Sequence, residues 1–176
     1  MQVSEFDDGF EDDPSAREHA EQMLGEAIMG APIRALDPRP AVSVPESTPI
    51  REAVRLMLDR QIGAVLVARN GRAVGIFTER DVLRRVSTTG IDQERPVGEV
   101  MTADPETLGP DDGIAFALNR MILGGYRHIP ILNEAGEPLA VLSLREVVSF
   151  IVSLLPARVL NLPPEPHLEA HSPDGG

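Results

Sequence analysis

The chain has 176 residues and a formal net charge of −12 at pH 7. It contains no cysteine and no lysine, so disulfides, thiolate chemistry and lysine Schiff bases are excluded. Residues 1–26 carry nine carboxylates and one arginine, whereas residues 33–151 carry sixteen carboxylates and fourteen arginines. A nearly neutral middle with acidic ends argues against binding to nucleic acid, which requires a basic surface.

No apolar run approaches the roughly 20 residues that a membrane-spanning helix needs. We therefore expect a cytoplasmic protein that does not bind a membrane. Residues 1–14 are strongly acidic and predict a disordered segment. Residues 15–30 predict an amphipathic helix, because Ser15 and Glu18 form a capping box and Gly30 is a suitable C-terminal stop.

A shift of 64 residues aligns two halves of the chain. Apolar residues recur in each half at positions i, i+3, i+4, i+7 and i+8, the pattern of an amphipathic helix. Thr48 is the predicted N-cap of the first helix, and Asp111 or Asp112 that of the second. The two stripes are Ile50, Ala53, Val54, Met57 and Leu58, and Ile114, Ala117, Leu118, Met121 and Ile122.

Each of these helices is followed by a predicted β-hairpin. Residues 64–67 and 128–131 predict the first strands, and residues 73–77 and 139–142 the return strands. Asn70-Gly71 is a strong signal for the first turn. The return strands lead into second helices, from Thr78 to about Val86 and from Ser143 to about Leu155.

The repeat predicts an α/β (α+β) fold in which each half reads strand–helix–strand–strand–helix. The halves span residues 33–87 and 97–155, and each is too small to bury its faces alone. We therefore expect them to pack through their sheets around one shared core. Residues 156–176 are rich in proline and predict a flexible tail, where His167 and His171 are not expected to bind a metal.

Five segments resemble paired cystathionine-β-synthase (CBS) domains. They are IGAVLV (62–67), GRAVGIFTERDVL (71–83), VMT (100–102), YRHIPI (126–131) and SLRE (143–146). The resemblance implies a pseudo-symmetric pair of motifs, the Bateman module, with two clefts between them that often hold adenosine nucleotides. It also implies a homodimer.

By the same resemblance, Thr78 would face the phosphate of a ligand and Asp81 would accept hydrogen bonds from the ribose hydroxyls. A carboxylate suits a vicinal diol because it only accepts hydrogen bonds and the diol has two donors. Arg127 and His128 would reach the phosphate in the same cleft, with Arg80 a lesser candidate. The alternative is that Thr78 and Asp81 are only a capping box that starts a helix.

The adenine slot would lie near Phe77 or Ile76, near Thr107 and the preceding Glu106, and near Ile129. Which of Ile76 and Phe77 faces the slot depends on strand phase, which the sequence does not fix.

The second copy of the motif departs from the family pattern. Ser143 and Glu146 predict a weaker second cleft, because glutamate is one methylene longer than the usual aspartate. The equivalents of Arg127 and His128 in the first half are Gly63 and Ala64, which offer no charge.

These patterns predict a stand-alone regulatory module that is not an enzyme and requires no cofactor. The candidate ligands are AMP, ADP and ATP, with S-adenosylmethionine, NADH or a cyclic dinucleotide also open. We expect signalling to a protein partner that the sequence does not name, and a homodimer formed through helices with apolar stripes at both ends of the module. One such stripe is Val147, Val148, Ile151 and Leu155. The alternative function is a structural or interaction module whose clefts stay empty.

Overall fold

The computed structural model describes residues 22, 25–26 and 30–154. Within the predicted N-terminal helix, residues 22, 25, 26 and 30 are helical. The rest of that helix, the acidic residues 1–14 and the tail from residue 155 onward lie outside the described residues.

The first half contains the predicted elements in the predicted order. A 3₁₀ turn at Ile33–Leu36 precedes them, and the last α-helical turn, Glu79–Asp81, runs directly into a π-helical segment at Val82–Ser87. The elements are β1 (Ser43–Pro45), α1 (Ile50–Arg60), β2 (Ala64–Arg69), β3 (Arg72–Thr78) and α2 (Glu79–Asp81).

The second half repeats this order with one difference. Its first strand is reduced to a single parallel bridge between Leu108 and Ile131. A 3₁₀ turn at Val97–Glu99 and the short strand β4 (Thr102–Ala103) come before it. The remaining elements are α3 (Ile114–Gly124), β5 (His128–Leu132), β6 (Pro138–Ser143) and α4 (Leu144–Ser153).

Each half lends a strand segment to the sheet of the other. The larger sheet has the order β1-β2-β3-β4, and β4, from the start of the second half, pairs antiparallel with β3. In the smaller sheet of β5 and β6, Pro40 from the first half bridges Ala140 of β6 in the same antiparallel sense. The hairpin of β2 and β3 turns at Asn70 and Gly71, whose φ angles are 52° and 79°, as a tight hairpin requires.

Strand β2 is buried on both faces, which explains its unbroken apolar sequence. Val65 and Val67 pack with Phe77 in the core beneath the helices of the first half. Ala64 and Leu66 point the other way and form a small cluster with Ile76, Ala41 and Val141. The second half has a separate core around Ile33, Ile114, Ile129 and Leu142. The prediction of one shared core is therefore wrong, because each half has its own core, that of the second half including Ile33 from the first, and a third cluster joins them.

The helix starts differ between the first and the second helix of each half. Helices α1 and α3 begin after Pro49 and Gly113 without a side-chain cap, so the predicted caps at Thr48, Asp111 and Asp112 are wrong. Helices α2 and α4 each begin with a complete capping box, Thr78 with Asp81 and Ser143 with Glu146. Both capping boxes thus start helices that directly follow a strand, β3 in the first half and β6 in the second.

Candidate functional site

Two cavities lie at helix starts, one where β3 runs into α2 and the other where β6 runs into α4. The Asp81 cleft has a volume of about 540 Å³ and the Glu146 cleft about 740 Å³. The Asp81 cleft is lined by Ile76, Thr78, Glu79, Arg80, Asp81, Arg84, Arg85, Thr102, Asp104, Pro105, Glu106, Gly124, Gly125, Tyr126, Arg127 and His128. The Glu146 cleft is lined by Ala35, Leu36, Arg39, Pro40, Val42, Gln61, Ile62, Gly63, Ala64, Glu79, His128, Val141, Ser143, Arg145, Glu146, Ser149 and Phe150.

Asp81 is the one buried charged residue among those that the structure describes, with 7% of its surface exposed. Its Oδ2 accepts hydrogen bonds from the backbone N and the Oγ1 of Thr78, at 2.9 and 2.7 Å. Its Oδ1 lies 3.5 Å from Nε of Arg85, beyond a good hydrogen-bond distance. A carboxylate has about four acceptor positions, so Asp81 keeps capacity for a further donor on the cleft side.

Two arginines of the first half, one on α2 and one in the π-helical segment after it, donate hydrogen bonds to the walls of the Asp81 cleft. Arg80 donates to the carbonyl oxygen of Gly125 at 2.5 Å. Arg85 donates to the carbonyl oxygens of Val100 and Met101 at 2.9 and 2.5 Å. These bonds bring the positive charge of both side chains to the rim of the cleft.

A second network fixes the far wall of the same cleft. Glu106 accepts hydrogen bonds from the hydroxyl of Tyr126 and from Nε of Arg120. The Arg120 and Tyr126 bonds lower the pKa of Glu106, while burial and the Glu106 carboxylate raise the pKa of Tyr126. Gly124 makes room for the tyrosine ring, since a Cβ there would lie 2.0 Å from a ring carbon.

His128 starts β5 and lines both clefts. Burial lowers the pKa of its imidazole below the ordinary value. The carboxylates of Glu79 and Glu146 act in the opposite direction, and the Arg127 guanidinium adds to the lowering. The neutral imidazole is therefore favoured near pH 7.

The Glu146 cleft repeats the capping geometry of the Asp81 cleft. Oε2 of Glu146 accepts hydrogen bonds from the backbone N and Oγ of Ser143, at 2.7 and 2.6 Å. Arg39 and Arg145 also line this cleft, together with His128. Gly63 and Ala64 offer no charge to this cleft, but Arg39 and Arg145 bring positive charge to it from other positions.

The structure brings most of the predicted site residues together. Thr78, Arg80, Asp81, Arg127 and His128 all line the Asp81 cleft, as Ser143 and Glu146 line the other.

Three predicted site residues lie elsewhere. Phe77 and Ile129 are fully buried in the cores of their own halves, and Thr107 is exposed outside the lining of either cleft. For Phe77 and Ile129, strand phase is the reason, since side chains alternate between the two faces of a strand. Ile76 and His128 take the phase that faces the other half, and Phe77 and Ile129 take the opposite one.

Sequence reasoning missed several lining residues. Arg85 follows Asp81 by four residues, and this helical spacing could have predicted their ion pair. Arg84 and Glu79 flank the recognised motif and could have been included with it. The contact of Tyr126 with Glu106 joins residues 20 positions apart and leaves no local signal.

The described part of the chain shows neither a cluster of metal ligands nor a helix suited to span a membrane. Within residues 22, 25–26 and 30–154, no three histidine, cysteine, aspartate or glutamate side chains are placed to hold a metal ion. No helix in that part of the chain has the length and apolar character to cross a membrane.

The fold and clefts define a tandem pair of α/β motifs with a candidate ligand site at each of two equivalent helix starts. The family model for the CBS domain matches residues 33–88 and again residues 97–153. The chain therefore belongs to the CBS domain family, which confirms the predicted fold class and the predicted family.

Relatives and solved structures agree with this assignment. The chain is 37% identical over 106 residues to the CBS domain-containing protein CBSCBSPB5 of Arabidopsis thaliana, covering 59% of this chain but only 19% of that protein. An uncharacterized conserved protein of Pyrococcus horikoshii has a TM-score of 0.64 at 30% identity, over 69% of this chain and 92% of that one. A CBS domain protein of Pyrobaculum aerophilum complexed with AMP has a TM-score of 0.62 at 26% identity, over 70% of this chain and 99% of that one.

Proposed function

We propose that this chain is a regulatory module that binds an adenosine-type nucleotide in the Asp81 cleft and signals its occupancy to a protein partner. The observation that carries the proposal is the convergence of Thr78, Asp81, Arg127 and His128 on one cavity. Thr78 and Asp81 come from the first half, and Arg127 and His128 come from the second. A ligand that contacts both pairs would link the two halves.

The chemistry of the cleft suits a nucleotide. Asp81 has acceptor positions left for ribose hydroxyls, and Arg127 and His128 can donate to a phosphate. Of the two candidates for the adenine slot, Ile76 and not Phe77 supplies an apolar wall of the cleft. The volume of about 540 Å³ is within the range of small-molecule sites.

The AMP bound by the Pyrobaculum aerophilum protein supports this ligand class, because that protein shares the fold at 26% identity. The Glu146 cleft is proposed as the weaker of two sites. The module acts by binding and not by catalysis, and it needs no cofactor for its fold.

We also propose a homodimer. Large apolar side chains remain exposed on the helices, with Leu58 and Leu123 each 72% exposed and Ile122 68% exposed. Of the residues first expected at the interface, Val148 is 48% exposed, whereas Val147 is fully buried in its own core. Light scattering after gel filtration should give twice the chain mass at tens of micromolar; a monomer mass would contradict the dimer.

An interaction module with empty clefts is the second candidate. It is favoured by the two capping boxes, since Asp81 and Glu146 each already have a structural role as helix caps. The exposed apolar side chains would then be its functional surface.

A thermal-melting screen separates the two functions. The protein is heated with AMP, ADP, ATP, S-adenosylmethionine, NADH or a cyclic dinucleotide, each at a concentration far above a micromolar dissociation constant. A ligand at 100 times its dissociation constant stabilises the folded state by about 2.7 kcal/mol. We expect AMP, ADP or ATP to raise the melting temperature by several degrees. No shift with any of the six compounds would contradict nucleotide sensing and favour the interaction module.

A further inference from the structure

His128 forms part of the wall of both clefts. In the Asp81 cleft it lies beside Arg127, and in the Glu146 cleft it lies beside Gly63 and Val141. Its position at the start of β5, in the inward strand phase, places the imidazole between the two halves. Glu79 is the other residue that lines both cavities.

Gly63 holds the imidazole in this shared position. A Cβ added to Gly63 would lie 2.8 Å from Nε2 and 2.9 Å from Cε1 of His128, closer than real Cβ contacts. The φ angle of Gly63 is not positive, so the space taken by His128, and not backbone conformation, accounts for the glycine. The imidazole thus packs against the backbone of Gly63, just before β2, where it lines both clefts.

The number of donors on this imidazole limits what it can bind. A neutral imidazole has one N–H donor, and its other nitrogen only accepts. The charged groups that act on it are Glu79 from α2, Glu146 from α4 and its neighbour Arg127 on β5. Burial has the largest effect on the pKa and lowers it, so a single donor is available above neutral pH.

We propose that His128 is a ligand-binding residue of both clefts and that its single donor couples them negatively. An anionic ligand that engages His128 in one cleft leaves the acceptor nitrogen facing the other. A second anion then binds without a donor at that position. This inference depends on the proposed function, because it requires an AMP-like anion in the Asp81 cleft.

Titration calorimetry with AMP at pH 8 and fixed salt measures the coupling. The Asp81→Ala/Arg127→Ala variant reports the Glu146 cleft alone, since it lacks the ribose acceptor and the phosphate cation of the other cleft. The second stepwise dissociation constant of the wild type should be about tenfold larger than the dissociation constant of this variant. A factor of about ten corresponds to the lower end of the free energy of one hydrogen bond to a charged group. In a His128→Ala background the same ratio of dissociation constants should fall to about twofold. The coupling that remains is the electrostatic repulsion between the two bound ligands, weakened by salt.

Each outcome of this titration decides the proposal. A wild type that takes one equivalent while the double variant binds AMP agrees with strong negative coupling. A ratio near one, or a ratio unchanged without His128, overturns the proposal. A double variant that binds no AMP also overturns it, but leaves the proposed function intact if the wild type binds one equivalent. A wild type that binds no AMP overturns both.

Gly63→Ala tests the proposal without removing the histidine. The added Cβ should displace the imidazole and change the AMP affinity of both clefts together, by several-fold in each. Ser149→Ala, which lines only the Glu146 cleft, and Arg84→Ala, which lines only the Asp81 cleft, are matched controls that should each affect one cleft. An effect of Gly63→Ala confined to one cleft would contradict the shared role of His128.

Discussion

The two clefts have the same local construction and different surroundings. In each, the hydroxyl of the residue before a helix accepts a hydrogen bond from the backbone N three residues later. The carboxylate of that later residue accepts one from the backbone N of the first. The pairs are Thr78 with Asp81 and Ser143 with Glu146. The backbone repeats as well, since Glu79 N donates to Gly63 O just as Leu144 N donates to Arg127 O. The difference lies in what the opposite half supplies to each carboxylate.

The walls of the Asp81 cleft are connected by side-chain hydrogen bonds more closely than those of the Glu146 cleft. Arg80, Arg85 and the Tyr126–Glu106 pair cross-link its walls. The Glu146 cleft is larger and is lined by two arginines, Arg39 from the segment before β1 and Arg145, the repeat equivalent of Arg80. A duplicated motif can therefore keep its capping function in both copies while the walls around each copy diverge.

The largest expected effect comes from removing the carboxylate of the Asp81 cleft. Asp81→Ala should weaken AMP binding by at least about tenfold, because even one hydrogen bond to a charged acceptor contributes roughly 1.5 kcal/mol. Glu146→Ala is the matched control, since it removes the same half of the same capping box. Both variants should melt earlier, and titration calorimetry should find AMP affinity at the stronger site lost only in Asp81→Ala. Equal losses would show that helix capping, and not ligand contact, explains the effect.

A smaller effect should distinguish phosphate contact from ribose contact. Arg127 is exposed, so its Ala variant should weaken AMP binding by about fivefold, which corresponds to roughly 1 kcal/mol for an exposed ion pair. Adenosine, which lacks the phosphate, should bind the variant and the wild type equally. The measurement is a competition titration of both ligands, and an equal loss for AMP and adenosine would remove Arg127 from the phosphate site.

Tyr126→Phe should test the cross-link of the Asp81 cleft. The substitution removes one hydrogen bond to Glu106 and should lower the free energy of unfolding by about 1 kcal/mol. AMP should bind the Asp81 cleft two- to threefold more weakly, while the Glu146 cleft is unaffected. Chemical denaturation and calorimetry give the two quantities, and unchanged values in both would show that the network does not hold the wall.

Shortening the second carboxylate should make the clefts more alike. Glu146→Asp keeps a capping box of the type already present at Thr78 and Asp81, so stability should change by less than about 0.5 kcal/mol. The shorter side chain should raise the AMP affinity of the Glu146 cleft several-fold. Calorimetry on the Asp81→Ala background isolates that cleft, and an unchanged or weaker affinity would mean that carboxylate length is not what limits it.

The smallest effect concerns pH. Because burial holds the pKa of His128 below its unfolded value, its neutral form stabilises the fold above about pH 6.5, and this stability is lost as the pH falls. The melting temperature of the wild type should therefore drop more between pH 7.5 and 5.5 than that of His128→Asn. Parallel slopes for the two proteins would contradict the burial of the neutral imidazole.

Local patterns predicted the fold well. The repeat of apolar stripes at an offset of 64 residues located α1 and α3, and Asn70-Gly71 located the first hairpin. Pairs within one helix start, such as Thr78 with Asp81, were also visible in the sequence. These features depend on neighbours within about four residues, where spacing determines contact.

Features that depend on tertiary packing were not predictable. The phase that turns Ile76 inward and Phe77 toward the helices is fixed by β2, which is apolar on both faces and gives no alternation to follow. The approach of Arg39 to the Glu146 cleft depends on how residues before β1 cross to β6. Neither has a signature within a short window of sequence.

The most direct test of the central claim is a crystal structure of the chain grown with AMP. We expect one AMP in the Asp81 cleft of each chain, with its ribose hydroxyls within hydrogen-bond distance of Asp81 and its phosphate within hydrogen-bond distance of Arg127 or His128. AMP found in the Glu146 cleft alone, or in the Asp81 cleft with its ribose turned away from Asp81, would contradict the account.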